Sequence, residues 1–488
     1  MAQDGSRIDV VRADLLEYAE KGQEKIRKLV GEVRLRQKEM IMDCDSAYHY
    51  LVSDFVEAFG HIHIVQDDTI QLYGDKLIYD GKSRKAEVTG KVVLDDGSAN
   101  IRTDRLFYDA NSRTASYRTG AEIRNGPTLL TSQRGAYHSA QKMAYFKQDV
   151  HLRDERYELC SDTLAHDVEQ RISYFLAPTW IKTGRREIFC RGGWYDSRND
   201  RALFADQARF ASGSERILAD SIFYNKSTGY GRARGQVTIA DTTQDLMVRC
   251  QKADYSDSTN ILVATDRAYM TYVMDQDSLH ISGDTLKSVT DSGGEARRLF
   301  AYRNVRMLKS NLQGSCDSLI YDSADSSLSM FHEPYLWSDS SQFNADTIFI
   351  LIRNRELDKV LLRQNAFIGT RNDSLIFNQI KGKSIDAYFA EDSLRKVLVD
   401  GNGETIYYVQ DDGGGYVGVN KAVCSRMWIY IKMNKVDRIS FLGSADATMF
   451  PIQQIDTRDF ILDRFAWRDD LRPLDKPSLW KPLPVRRE

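Results

Sequence analysis

The chain has 488 residues, with 67 Lys and Arg against 70 Asp and Glu, for a net charge of −3. That balance leaves no basic excess to neutralise phosphates and excludes a sequence-independent nucleic-acid binder. No apolar run reaches the roughly 18 residues that a membrane-spanning helix needs.

The first ten residues, MAQDGSRIDV, hold neither a basic n-region nor an apolar h-region, so no export signal is expected in the chain as given. That fits a cytosolic protein, or a chain starting near the mature end of an exported one. Residues 15–30 could pass for a helix, but aligned with later segments they read as strands of a first repeat.

From there a unit of about 30 residues, a solenoid-like period, recurs almost to the end. Three successive copies are GDKLIYDGKSRKAEVTGKVVL from Gly74, TDRLFYDANSRTASYRTGAEI from Thr103 and SQRGAYHSAQKMAYFKQDVHL from Ser132. An anchor Asp is expected to open the first strand of each unit. It falls at Asp14, Asp45, Asp75, Asp104, Gln133, Asp162, Arg191, Asp220, Gln251, Asp284, Asp317 and Asp346, with weaker copies at Lys383 and Arg426. Runs such as DGKSR, DANSR and DSRND read as hairpin turns.

The second half of the unit alternates with period two, as a half-buried strand does. Its columns run Leu29, Ala58, Val88, Tyr117, Phe146, Phe175, Phe204; then Val33, Ile62, Val92, Ala121, Val150; then Leu35, Ile64, Leu94, Ile123, Leu152. A glycine column, Gly31, Gly60, Gly90 and Gly235, marks a bend or close backbone approach. The expected fold is all-β: an elongated β-jellyroll or β-solenoid of about fourteen strand-turn-strand repeats of ~30 residues. Its interior ladders suit an apolar chain-like ligand, or they pack on one another. The residues that would line a groove are Ala58, Ile62, Ile64, Val88, Val92, Leu94, Tyr117, Ile123, Phe146, Val150 and Leu152.

No catalytic residue, metal or cofactor is predicted. Six cysteines precede anchor positions by one or two residues, as small apolar side chains would. Cys160 and Cys190 lie one repeat apart, and a disulfide between them is the minor alternative. His61 and His63 form an H-x-H without a third ligand and read as solvent-facing strand residues. Gly413-Gly414-Gly415 lacks a following G-K-[ST], and G-x-S-x-G does not occur. From Asp456 the alternation stops, and five of the eight prolines lie beyond residue 450. Residues 456–488 therefore read as a terminal extension, partly extended or disordered, whose Trp467 and Trp480 pack on the last repeats or dock on a partner.

The segment MDCDSAYHYLVSDFVEAFGHIHIVQDDTIQLYGDKLIYDGKSRKAEVTGKVVL, residues 42–94, resembles the OstA-like domain of the lipopolysaccharide-transport proteins of Gram-negative envelopes. It looks most like the large OstA-like proteins of the Bacteroides group. The resemblance spans residues 8–165, with 166–455 continuing the same solenoid in degenerate repeats. It implies a V-shaped jellyroll that is not an enzyme and shields lipopolysaccharide acyl chains in its groove. It implies a periplasmic, or outer-membrane-associated, place in a bridge toward the outer membrane. It also implies partners of the same fold joined end to end by β-strand addition, with homo-oligomerisation as a further expectation. Two departures matter: the family's periplasmic bridge is much shorter, and its outer-membrane member continues into a transmembrane barrel with no counterpart here. A non-transporting envelope scaffold assembling through edge strands is the alternative, and a carbohydrate-active solenoid enzyme a second.

Overall fold

A computed structural model describes residues 7–66, 70–97, 99–273, 277–291, 297–353, 356–391, 393–411, 413–433 and 435–480. Strands dominate, paired antiparallel, and among the described residues the only helical elements are short 3-10 turns after Pro451. Residues 15–30 are strand, in Leu15–Lys21 and Glu24–Gln37. The chain divides into two compact units: Met1–Gly213 with Leu218–Ser227, and Ser214–Ile217 with Thr228–Glu488.

The anchor does not open a strand, as the repeat pattern had suggested. Asp75 sits in the middle of Ile70–Asp80, and the next strand, Lys85–Asp95, runs back beside it. The residues before the anchor belong to the same strand because the register slips there without breaking the ladder. Phe59 faces Lys76 and Ile62 faces Gly74, so Gly60 and His61 together oppose Asp75. Both carry left-handed backbone, with φ 74° and 41°. An extra residue on one strand bends it, and here the bend recurs in every well-formed repeat. Where glycine is missing, two non-glycine residues take the same left-handed pair, as at Gln148–Asp149, Asp266–Arg267 and Gln364–Asn365. An L-residue does so at a cost of roughly 1–2 kcal/mol, so glycine at this column is favoured but not required.

Each strand therefore has two halves joined at a bend, and each repeat supplies two such strands. Stacking the halves makes two walls that meet along the line of bends. Buried residues alternate on both sides of the bend, as in Phe55–Gln66, where Val56, Ala58, Ile62 and Ile64 are all buried. The anchor carboxylates lie at the bend and bond its second residue: Asp45 Oδ2 lies 2.8 Å from His61 Nδ1, and Asp284 Oδ2 accepts from Asn304 Nδ2 at 2.8 Å. The last repeat is shifted by one from the sequence alignment. Asp400 pairs with Arg426 and Gly403 with Cys424, which leaves Ser425, not Arg426, opposite the bend.

The terminal extension is packed, not loose. After Pro451 the chain turns back across the outer face of the second unit and runs against the chain order of its strands. Leu462 is buried with Phe367, Ile406, Tyr408 and Val419. Trp467 packs at a tilt against Phe377 at 5.2 Å and lies under the Arg371 guanidinium at 4.6 Å. Trp480 meets Tyr269 edge-on at 4.9 Å. Three glutamines at one repeat position hold this strap. Gln379 Nε2 donates to Phe460 O at 3.0 Å and its Oε1 accepts from Leu462 N at 2.8 Å. Gln342 does the same with Ala466 O at 2.7 Å and Arg468 N at 2.8 Å. Gln313 Oε1 accepts from the Arg472 guanidinium at 2.7 and 3.0 Å. A carboxamide carries both a donor and an acceptor, so it can pair with extended backbone as a strand would. Residues 481–488, with Pro482 and Pro484, lie outside the described residues.

Candidate functional site: the interior of the first unit and its mouth

All eleven inward positions named from the sequence line the interior of the first unit, and none exceeds 9% exposure. Ile62, Val88, Val92 and Val150 are at 1% or below. The two walls thus pack against each other. Size complementarity makes this work: the Tyr117 ring occupies the space above Gly135, where any side chain would collide with it. Burial pushes the Tyr117 phenol up to about 12, while its hydroxyl pairs with Ser132 Oγ at 2.5 Å. Burying one aliphatic side chain of this kind contributes roughly 1.5–3 kcal/mol.

Away from the bend, the walls end in a row that the sequence reading treated only as consensus. The Tyr of D-x-L-x-Y-D forms it, alternating with a small partner on each adjoining strand. Across the ladder the row reads Val56, Tyr79, Ala86, Tyr108, Ala115, Tyr137, Ala144, His166, Ser173, Tyr195, Ala202. The tyrosines reach across to the far wall. Tyr79 donates to Gln37 Oε1, and Gln37 Nε2 donates to Gly81 O at 2.9 Å. Tyr108 donates to Gln66 Oε1 at 2.6 Å. Tyr137 is raised above its ordinary range, first by burial and then by its bond to the Asp96 carboxylate. At the N-terminal end of the row His49 replaces tyrosine, 3.5 Å from Asp54, whose Oδ1 also accepts from Ile8 N. Gln37 and Gln66 are 1% and 4% exposed. The signal for this row was present as a tyrosine column at the repeat spacing, but periodicity alone did not say what the hydroxyl would meet.

The other candidate groups do not converge on a site. His61 lies at the bend beside Asp45, whereas His63 stacks on Tyr73 at 4.6 Å. Among the described residues no cluster of three metal-ligating side chains forms. Gly413 and Gly415 fold around their own Asp411, donating to its Oδ1 at 3.0 and 2.8 Å. Cys44, Cys190, Cys250, Cys316 and Cys424 are buried, Cys160 is exposed, and all six are free. Cys160 stands opposite Trp180 and Cys190 opposite Thr179, and these neighbours in one strand face opposite sides of the sheet, so the two thiols cannot pair.

The two halves of the strands form a bent, two-walled all-β sheet with an apolar interior. Residues 5–162 match the family of OstA-like proteins, so this segment of the chain is OstA-like. Among solved structures the chain is similar to LptH of Pseudomonas aeruginosa, described as the LptA-homologous periplasmic component of the conserved lipopolysaccharide transport device. The identity is 18%, covering 21% of this chain and 79% of that one, with a TM-score of 0.20. No curated protein matches the chain. No helix among the described residues is long and apolar enough to cross a membrane.

Proposed function

We propose that this protein is a non-enzymatic periplasmic carrier that holds the acyl chains of lipopolysaccharide between the walls of its first unit and passes them toward the outer membrane. The observation that carries this reading is the coincidence of the OstA-like segment, residues 5–162, with a continuous apolar interior from Leu29 to Leu152. The proposed lining is Ala58, Ile62, Ile64, Val88, Val92, Leu94, Tyr117, Ile123, Phe146, Val150 and Leu152. Partners of like fold would join by strand addition. Strand Leu15–Lys21 pairs with Glu24–Gln37 and is exposed along its length, with Leu15 and Tyr18 50% and 68% exposed. The closed packing of the interior favours one other reading, a scaffold that assembles through its edges and carries no lipid.

Photo-crosslinking in cells separates them. A benzophenone amino acid would replace Ile62, Val92 or Val150, with exposed Lys85 as control. Lipopolysaccharide adducts at the inward positions alone are expected. Protein adducts alone, in variants with native circular dichroism, would leave the scaffold.

A further inference from the structure

The interior is apolar and closed, yet a chain-like ligand must reach it. The bend side is continuous backbone, bridged by the left-handed pairs of alternate strands, such as Gly60–His61, and by the anchor residue of the strands between, such as Asp75. Among the described residues the opposite side is joined by bonds in which side chains take part, including Gln37 Nε2 to Gly81 O and Ile8 N to Asp54 Oδ1. There Tyr79 reaches Gln37, and Tyr108 reaches Gln66. In each case the bond links residues 42 positions apart. Both partners belong to opposite walls, and both are buried. A hydrogen bond between two neutral groups contributes only about 0.5–1.5 kcal/mol net, whereas the ladder bonds along each wall act together. The mouth is therefore the weakest seam of the first unit.

We infer that the Tyr79–Gln37 and Tyr108–Gln66 pairs are latches of a lateral gate: an acyl chain enters the interior sideways, by parting these pairs, and not by threading from an open end. This rests on the lipid-carrier reading above. The pairs also suit their task chemically. Both polar ends are buried while the walls are closed, and a tyrosine parted from its glutamine can bond water while its ring lies against an acyl chain. The partner beside each ring in the row is small, Ala86 for Tyr79 and Ala115 for Tyr108.

The test closes the gate covalently. Tyr108→Cys and Gln66→Cys are combined in a Cys160→Ser background, which removes the exposed native thiol, and the pair is bridged with dibromobimane. Benzophenone at Val92 reports loading from lipopolysaccharide micelles. The unbridged double variant should give adducts at least as fast as the parent, and bridging should lower the rate by tenfold or more. In the parent, Tyr79→Phe with Tyr108→Phe should raise the initial rate severalfold. Equal loading with and without the bridge overturns the gate while leaving the carrier reading in place. No adduct in any form, the parent included, overturns the carrier reading and the gate with it.

Discussion

The carboxylate of Asp75 occupies the space that a side chain on Gly90 would need. A Cβ there would fall 2.5 Å from Asp75 Oδ2 and 2.8 Å from its Cβ, and Gly90 itself has φ 81°. Asp45 stands in the same relation to Gly60, and Asp14 to Gly31. Two columns that look independent in the sequence are thus halves of one bend. Gly90→Ala should lower stability by roughly 1–3 kcal/mol, from left-handed strain plus the collision. Adding Asp75→Ala should recover only the part of the collision made with the carboxylate, since the Asp75 Cβ at 2.8 Å remains. Urea unfolding of both single variants and the double variant measures this coupling, and strictly additive losses would mean that the carboxylate simply swings aside.

The bend explains what could and could not be read from the sequence. Alternation in segments such as Lys85–Asp95 specified strands, faces and interior columns, because a period of two has one interpretation when one face is buried. It did not specify that Asp75 lies mid-strand. The bulge keeps the alternation on the strand that carries the extra residue, but on Asp75's strand the inward set slips from Ile70 and Leu72 to Leu77 and Tyr79, a break that reads in sequence like the start of a new strand. Tyr79 and Tyr108 were visible as a column, but their partners Gln37 and Gln66 lie beyond any local pattern. The strap was illegible for a different reason. Its contacts with Gln342 and Gln379 are made through its own backbone, which no side-chain sequence encodes, whereas Gln313 meets a strap side chain, that of Arg472. The glutamine column was present in the degenerate repeats, where the register is hardest to follow.

Those glutamines make the strap separable by mutation. Gln342→Ala leaves Ala466 C=O and Arg468 N–H without this partner, and Gln379→Ala does the same at Phe460 and Leu462. An unsatisfied buried polar group costs about 1–3 kcal/mol, set against a strap held otherwise by aromatic contacts, the Arg371–Asp469 ion pair and bonds such as Ser282 Oγ to Leu479 O. The double variant should show faster hydrogen exchange across residues 456–480 and faster proteolysis there, with the first unit unchanged. Unaltered exchange would assign the strap's attachment to Leu462, Phe465 and Trp467 instead.

Cysteine reactivity tests the corrected register. Five thiols sit one residue before the bend and point inward, and burial pushes Cys44 and Cys190 up to about 12 and Cys250 to about 11. Cys160 alone sits one residue earlier and faces out, beside His151 at 3.2 Å. The thiolate is the reactive form, so the native protein should label with one equivalent of a thiol reagent near pH 7, at Cys160, and the unfolded protein with all six. A second fast-reacting thiol in the native state would contradict the assigned faces.

His49 gives the first unit a dependence on pH. It is 2% exposed, and its burial holds its pKa below the ordinary 6.5 despite the opposing pull of Asp54. Arg27 adds to the lowering, and Asp9 opposes it. His166 is shifted the same way, again by burial. A folded pKa below the unfolded one means that the unfolded chain binds the proton first. Stability is then independent of these groups above pH 6.5 and falls as the pH drops through 6.5 toward the folded values, by at most about 1.4 kcal/mol per pH unit for each histidine. Urea midpoints should be level from pH 8 to 7 and decline from 6.5 to 5, ahead of carboxylate protonation. His49→Gln should remove part of that decline, because glutamine fills similar space without titrating. A decline of the same steepness in the variant would transfer the effect to His166 and His280, which burial shifts the same way, and show that the histidine at the N-terminal end of the mouth is indifferent to pH.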